Sequence, residues 1–197
     1  MPTGSLDFTT AASEAQLVAL ADRLRERNFE VLLVDSGSDA RNAVLDRIPD
    51  GSEVHSGKSK TLEDAGIFQT LMESGKYGFL RTRLFKMDRQ TQMREMRKLG
   101  AAPDFMVGSV HAVTEAGQLV TASASGSQLG PYASGAGQLI LVIGSQKIVT
   151  DLETALSRIR DHVQPYEDAR LREQLGVGTQ LARILILERD FRPGGPP

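Results

Sequence analysis

Short apolar runs alternate with stretches of helical periodicity along most of the chain, and this alternation limits the folds that it can adopt. FEVLLVD (29–35) and QLILVIG (138–144) are nearly continuous apolar runs of strand length, typical of strands buried on both faces of a parallel sheet. Between such runs, segments like 14–28 repeat apolar residues at helical spacing. The alternation predicts an α/β protein built on a mostly parallel sheet flanked by helices.

Capping residues predict several element boundaries. Ser13 precedes the helix over 14–28 as an N-cap, and Thr150 with Glu153 forms a capping box for a helix that Pro165 ends. Two strand-like segments, DFMVGSVHAVT and QLVTASA, flank Glu115-Ala116-Gly117. This spacing predicts a hairpin with Glu115 at its turn.

Length and composition favour one domain of ordinary size. The chain has 197 residues and a formal charge of −2, without a long block of like charge, so nothing indicates a nucleic-acid partner. We predict a flexible N-terminal segment over 1–12, a single α/β domain over 13–191 and a flexible Pro/Gly tail over 192–197.

Cysteine is absent, which excludes disulfides, thiolate nucleophiles and cysteine-ligated iron–sulfur clusters. The N-terminus MPTGSLDFTTAASEAQ lacks the basic start and apolar run of a signal peptide, and no segment is apolar enough to cross a bilayer. We therefore expect a cytoplasmic protein without membrane insertion. No cofactor is evident, since no P-loop and no GxGxxG motif after a strand occurs.

Three loops lie where an α/β sheet binds its ligands, at strand ends. The first, HSGKSKTLE (55–63), combines a glycine with hydroxyl and ammonium groups suited to an anion. Its ligand-binding candidates are Gly57, Lys58, Ser59 and Thr61. The alternative interpretation is a plain helix cap.

The second and third loops add a carboxylate and an amine. Glu115 is a candidate acid, base or nucleophile, and Thr114 and Gly117 beside it are ligand-binding candidates, although a turn glutamate is also typical of simple solvent exposure. Lys147, in GSQKIVTD, is placed to pair with a carboxylate or phosphate, or to be merely solvated.

The three histidines show no metal-ligand spacing. His55 and His111 each lie at a strand end and His162 on a predicted helix, and none belongs to a motif such as HExxH. We predict structural histidines and no metal site.

Taken together, the motifs resemble those of the LUD-domain lactate-utilisation family (LutC/YkgG type). HSGKSKTLEDAGI resembles its G-S-x-T-L-x-x-x-G loop, DFMVGSVHAVTEAGQLV resembles its G-x-x-A-[IV]-T-E-x-G-x-L-V hairpin, and GSQKIVTDLETALSRI resembles its G-x-x-K-[IV]-V-x-x-L-x-x-A-x-x-R segment. The family turn often has TETG, and here Ala116 replaces the second threonine, which removes one hydroxyl.

The resemblance implies a fold similar to the sugar-phosphate isomerase and CoA-transferase group (NagB/RpiA/CoA transferase-like). It also implies a place in the oxidation of lactate to pyruvate, beside partner subunits that carry iron–sulfur clusters. The leading hypothesis is a protein of lactate or related organic-acid utilisation that binds a small anionic metabolite and has no redox centre of its own. The alternatives are a stand-alone transferase or isomerase that uses Glu115 on a phosphorylated or CoA-thioester substrate, and a non-catalytic assembly or regulatory subunit.

Overall fold

A computed structural model describes residues 7–191, which form two compact units. The parallel-sheet unit contains residues 34–109 and 125–143, and the mixed-sheet unit contains residues 7–33, 110–124 and 144–191. Residues 1–6 and the predicted tail over 192–197 lie outside the described part of the chain. The single domain over 13–191 stays a prediction.

Helices and strands alternate along the described residues. The helices are α1 (Glu14–Glu26), α2 (Gly37–Leu45), α3 (Lys60–Asp64), α4 (Ile67–Glu73), α5 (Leu80–Leu84), α6 (Met93–Ala101), α7 (Leu152–Arg158) and α8 (Gln164–Leu175). The strands are β1 (Glu53–Ser56), β2 (Gly78–Phe79), β3 (Phe105–Gly108), β4 (Ala112–Thr114), β5 (Leu119–Ser123), β6 (Gln138–Leu141), β7 (Ile148–Val149) and β8 (Arg183–Leu187). Short π-helical turns cover Pro131–Gly135 and Ile159–Val163, and a 3-10 turn covers Ser145–Lys147.

The parallel-sheet unit confirms the predicted α/β class, with a parallel sheet flanked by helices. Its strand order is β2-β1-β3-β6, and every neighbouring pair is parallel. Val54 of β1 is paired with Phe79 on one side and with Phe105 on the other. Apolar side chains of these strands pack with those of the helices in one core: Val44, Ile48, Val54, Leu62, Ile67, Leu71, Phe79, Phe105 and Val107. The predicted strand over 138–144 forms as β6, half-buried because it is the edge of the sheet.

The mixed-sheet unit contains the predicted hairpin. Its strand order is β7-β4-β5-β8, in which β4 and β5 are antiparallel and β4 and β7 are parallel. Gly117 has φ +87° at the turn, the left-handed conformation that the hairpin prediction required. One apolar core joins the sheet to α7 through Ala112, Val120, Val149, Ala155 and Ile159.

The prediction of a buried strand over 29–35 is wrong. The segment forms no strand, and the exposed fractions of Leu32, Leu33 and Val34 are 55%, 44% and 42%. Asn28 turns the chain out of α1 with φ +66°, and Val31 O accepts from the Arg25 guanidinium rather than from a neighbouring strand. An apolar run predicts burial only if a partner strand lies beside it, and here the run forms no ladder.

The predicted ends of the helix after β7 also need correction. The N-cap is Asp151, whose Oδ1 accepts from the Thr154 amide at 2.8 Å, and not Thr150. Pro165 does not end the helix, because the turn Ile159–Val163 leads directly into α8. Pro165 is near the start of α8, within a helical path that continues from α7.

Among residues 7–191, no helix has the length and apolarity needed to cross a bilayer.

Candidate functional site

The topology of the parallel-sheet unit indicates a ligand position at the carboxyl edge of the sheet. After β1 the chain forms β2 on one side, whereas after β3 it forms β6 on the opposite side. The crevice between two strands whose connections leave in opposite directions is the usual ligand position of an open α/β sheet. Gly57 and Ser109 follow directly at the ends of these two strands.

The first predicted loop lies at this edge. The Gly57 amide donates to Val107 O at 3.1 Å, which extends the β1–β3 ladder by one residue. Ser59 Oγ accepts from the Leu62 amide at 3.3 Å, so Ser59 is the N-cap of α3. Lys58 Nζ lies 3.9 Å from Glu63 Oε1 in a half-exposed ion pair, and Thr61 is half-buried in the first turn of α3. Ser59 therefore has the capping role that the alternative interpretation gave it, and all four predicted residues of this loop lie together.

Arg81, which the sequence interpretation missed, lies at the same edge. It is the second residue of α5, directly after β2, and its Nη1 donates to Ser56 O at 3.1 Å. The guanidinium carbon lies 5.6 Å from the Phe68 ring centroid and 5.2 Å from that of Phe85. Its buried Nε has no hydrogen-bond partner among the described residues. Burial, and then the charge of Arg89, lower the pKa of Arg81, so the protein holds a cation here against its electrostatic cost.

Two further polar side chains of β1 are buried at this edge. Ser56 is fully buried, and its Oγ has no partner within residues 7–191. His55 is 6% exposed, and its Nδ1 is likewise unsatisfied. Burial, with a smaller effect of the Arg81 charge, lowers the pKa of His55 to about 4, so the imidazole is neutral at physiological pH. This part of the edge thus combines one fixed positive charge with uncharged polar groups.

A tyrosine fixes the backbone at the end of β3. The Tyr132 hydroxyl accepts from the Ser109 amide at 2.9 Å and donates to Ser109 O at 3.0 Å. Burial raises the pKa of Tyr132 to about 12. A Cβ at Gly108 would lie 1.8 Å from the Tyr132 hydroxyl oxygen, so only glycine permits this approach. The close contact makes this corner of the edge rigid.

The second predicted loop, in the mixed-sheet unit, is a well-held turn. Thr114 Oγ1 accepts from the Gln118 amide at 3.0 Å, and the Gly117 amide donates to Thr114 O at 2.8 Å. The Glu115 amide donates to Val149 O at 2.8 Å, while the Glu115 side chain is exposed. Thr114 and Gly117 thus stabilise the turn, and the catalytic role of Glu115 stays a prediction.

Lys147, the third predicted site, lies in a group of basic side chains within the same unit. Its Nζ donates to Val110 O at 3.0 Å, and Arg158 Nη1 donates to the next carbonyl, His111 O, at 2.8 Å. Burial, and then the Arg158 charge, lower the pKa of Lys147 to about 8. Burial, Lys147 and Arg158 lower the pKa of His111 to about 4. Arg158 was missed because a charged residue inside a helix normally faces solvent; its position between buried Ala155 and Ile159 was the available signal.

No group of three or more His, Asp or Glu side chains suited to a metal ion occurs within residues 7–191. His55 and His111 lie in different units; His55 is buried, and His111 Nδ1 accepts from the Ala122 amide at 2.9 Å.

A parallel sheet flanked by helices, with polar and basic groups at its carboxyl edge, places this protein in the α/β class. The LUD-domain family model matches residues 17–176, and the chain belongs to this family. The chain is also similar to a DUF162-family protein from Deinococcus radiodurans, known from a crystal structure: the identity is 12%, the TM-score is 0.48, and the alignment covers 89% of this chain and 88% of that chain. No curated protein matches the sequence.

Proposed function

We propose that this LUD-domain protein serves the utilisation of lactate or a related organic acid by binding a small anionic metabolite at the carboxyl edge of its parallel sheet. Membership of the LUD-domain family supports a role associated with lactate utilisation at the level of the family. The proposed site consists of Gly57, Lys58, Ser59 and Thr61 together with Arg81. Iron–sulfur partner subunits would supply the redox chemistry, since this chain has no cysteine to ligate a cluster.

The observation that carries the proposal is the state of Arg81. The Arg81 guanidinium lies near two aromatic rings, and its planar set of N–H groups suits a planar carboxylate. One of those groups, Nε, is buried and unsatisfied within the described residues, and an unpaired buried donor is costly. A bound carboxylate or phosphate would satisfy this donor and offset the positive charge.

The test is calorimetric titration of the protein with L-lactate, pyruvate and inorganic phosphate. Replacing Arg81 by Met removes charge-assisted hydrogen bonds, each of which contributes about 1.5–3 kcal/mol, so we expect affinity to fall about 10- to 100-fold. Arg81→Lys keeps the charge without the planar donor pair, and we expect an intermediate loss.

Arg83→Met is the matched control. Arg83 lies on the same helix, its side chain is 64% exposed, and it pairs with Glu53 at 3.6 Å. We expect it to bind the anion within about twofold of wild type, since removing an exposed pair changes little. Equal binding by Arg81→Met and wild type, or no binding of any of the three anions at millimolar concentration, would refute the proposal.

A further inference from the structure

The part of the chain that joins α5 to α6 concentrates positive charge in a way that the rest of the chain does not. Residues 83–98, here called the basic segment, contain six basic and two acidic side chains, all exposed: Arg83, Lys86, Arg89, Arg94, Arg97 and Lys98, with Asp88 and Glu95. The net charge of the basic segment is +4, whereas the whole chain has −2, so the remaining residues carry −6. A cationic surface on an otherwise acidic protein indicates attraction to an acidic partner.

The charges of the basic segment are largely unneutralised within the described protein. Arg83 pairs with Glu53 at 3.6 Å, but no ion pair within residues 7–191 involves the other five cations. Asp88 accepts instead from the Gln90 amide and from the Thr91 hydroxyl, each at 2.8 Å. Its carboxylate therefore stabilises the loop before α6, and carboxylates of a partner would find these cations available.

An open cleft of about 540 Å³ lies between the end of α5 and α6. Met87 and Leu99 contribute half-buried apolar side chains to it, and its charged lining residues are Arg83, Glu95 and Lys98. A concave site with apolar and charged groups side by side suits a ligand that is itself part apolar and part charged.

The basic segment also exposes large apolar side chains. Phe85 is 62% exposed and Met93 is 40% exposed, and three of the six methionines of the chain lie within the segment. Aromatic, methionine and arginine side chains are enriched in protein–protein interfaces, and exposed apolar side chains grouped together mark interaction sites. The composition of the segment thus indicates a partner that contributes apolar contacts as well as carboxylates.

We propose that the basic segment docks an acidic segment of another protein, in which Asp or Glu residues flank a large apolar side chain. The apolar side chain enters the cleft against Met87 and Leu99, and the flanking carboxylates pair with Arg94, Arg97 and Lys98. These three cations lie at i, i+3 and i+4 spacing on one face of α6, and Lys98 lines the cleft. The inference goes beyond the proposed function and does not depend on the anion site at the sheet edge.

The chemistry of the cleft favours a peptide over the other partners that a cationic surface attracts. Glu95 in the cleft lining repels a polyphosphate chain, whereas its carboxylate accepts from a peptide N–H. A lipid surface is flat on this scale and does not fill a concave cleft. Two copies of the basic segment repel each other, so a symmetric dimer through this surface is unfavourable.

The experiment is fluorescence polarisation of labelled peptides titrated with the full-length protein. The probe is the peptide EEDLFDEE, and its two controls are QQNLFNQQ, which keeps the apolar pair without charge, and EEDGSDEE, which keeps the charge without the apolar pair. We expect the probe to bind at least about tenfold more tightly than either control, since both kinds of contact contribute. Its affinity should fall as NaCl rises from about 0.05 to about 0.5 M, because exposed ion pairs are screened.

A double charge reversal tests the position of the site. Arg97→Glu combined with Lys98→Glu changes two exposed side chains of α6, and we expect it to weaken binding of the probe at least about tenfold. The matched control is Arg23→Glu combined with Lys76→Glu, which changes the net charge equally at side chains that are each 60% exposed. This control should bind the probe within about twofold of wild type. Circular dichroism checks that both double variants fold.

A thymidine oligonucleotide and phosphatidylglycerol vesicles test the two other anionic partners. Tighter binding of either than of the probe would overturn the inference. So would equal binding of the probe and QQNLFNQQ, equal binding of the probe by wild type and the α6 double variant, or no binding of the probe up to about 1 mM at low salt.

Discussion

The buried histidine on β1 predicts a specific loss of stability in acid. His55 is 6% exposed, and burial lowers its pKa from 6.5 to about 4. As the pH falls below 6.5, the unfolded chain binds a proton at this residue and the folded chain does not. The free energy of unfolding therefore falls between about pH 6.5 and pH 4, and this stabilising contribution is fully present only above pH 6.5.

The expected magnitude follows from the two pKa values. Proton linkage gives a loss of about 2 kcal/mol between pH 7 and pH 5, and about 3 kcal/mol by pH 4. With a urea m-value of about 2 kcal/mol/M, the first figure corresponds to a decrease of about 1 M in the denaturation midpoint.

The assay is urea denaturation followed by far-UV circular dichroism at a series of pH values, for wild type and His55→Gln. Glutamine cannot titrate, so the variant should lose about 2 kcal/mol less than wild type between pH 7 and pH 5. His111, whose pKa is also lowered to about 4, remains in both proteins and contributes equally to both. Between pH 7.5 and pH 8.5 the difference between the two proteins should be constant. If His55→Gln is as acid-sensitive as wild type, the linkage argument is wrong.

Three further substitutions test the end of β3 and the turn between β4 and β5. Gly108→Ala places a Cβ 1.8 Å from the Tyr132 hydroxyl oxygen and should lower the free energy of unfolding by about 1–3 kcal/mol in urea titrations; unchanged stability would contradict the close contact. Tyr132→Phe leaves the buried Ser109 amide without its acceptor and should cost about 1–3 kcal/mol by the same measurement, whereas a neutral result would mean that the bond contributes nothing. Glu115→Gln, at an exposed turn position, should change stability by less than about 0.5 kcal/mol. In a screen of phosphorylated and CoA-thioester substrates, loss of turnover in this variant would support the transferase or isomerase alternative, and turnover equal to wild type would exclude catalysis by Glu115.

Two local signals in the sequence predicted local structure correctly, although the N-cap after β7 is Asp151 rather than Thr150. Ser13 caps α1 in a capping box with Gln16, and the Glu115 turn joins two antiparallel strands with Gly117 in the left-handed region. Both features depend on residues within a few positions of one another, so the interactions that determine them are visible in the sequence. The alternation of helices and strands gave the fold class for the same reason.

Features that depend on distant parts of the chain were not visible. The apolar run over 29–35 satisfies every local criterion for a strand, but a strand also needs a neighbour to accept its hydrogen bonds, and the sequence does not say which segments become neighbours. Pro165 is a similar case, because whether a proline ends a helix or begins one depends on the turn that precedes it. The three predicted loops follow strands, as expected, but no local signal shows that they divide between two units.

Two arginines, Arg81 and Arg158, were not predicted as site residues from the sequence. Arg81 and Arg158 both lie in helical segments, where an arginine usually faces solvent. Arg81 instead donates to Ser56 O of β1 and Arg158 to His111 O just before β4, and the Nε of each is buried and unsatisfied among the described residues. The position of each arginine relative to the neighbouring helices and strands is nevertheless informative. Arg81 is the second residue of a helix that directly follows a parallel strand, and Arg158 is the last residue of α7, between the buried Ala155 and Ile159. A charged side chain in such a position is partly desolvated, and a bound anion would offset the cost of that desolvation. The anion site proposed beside Arg81 rests on this cost.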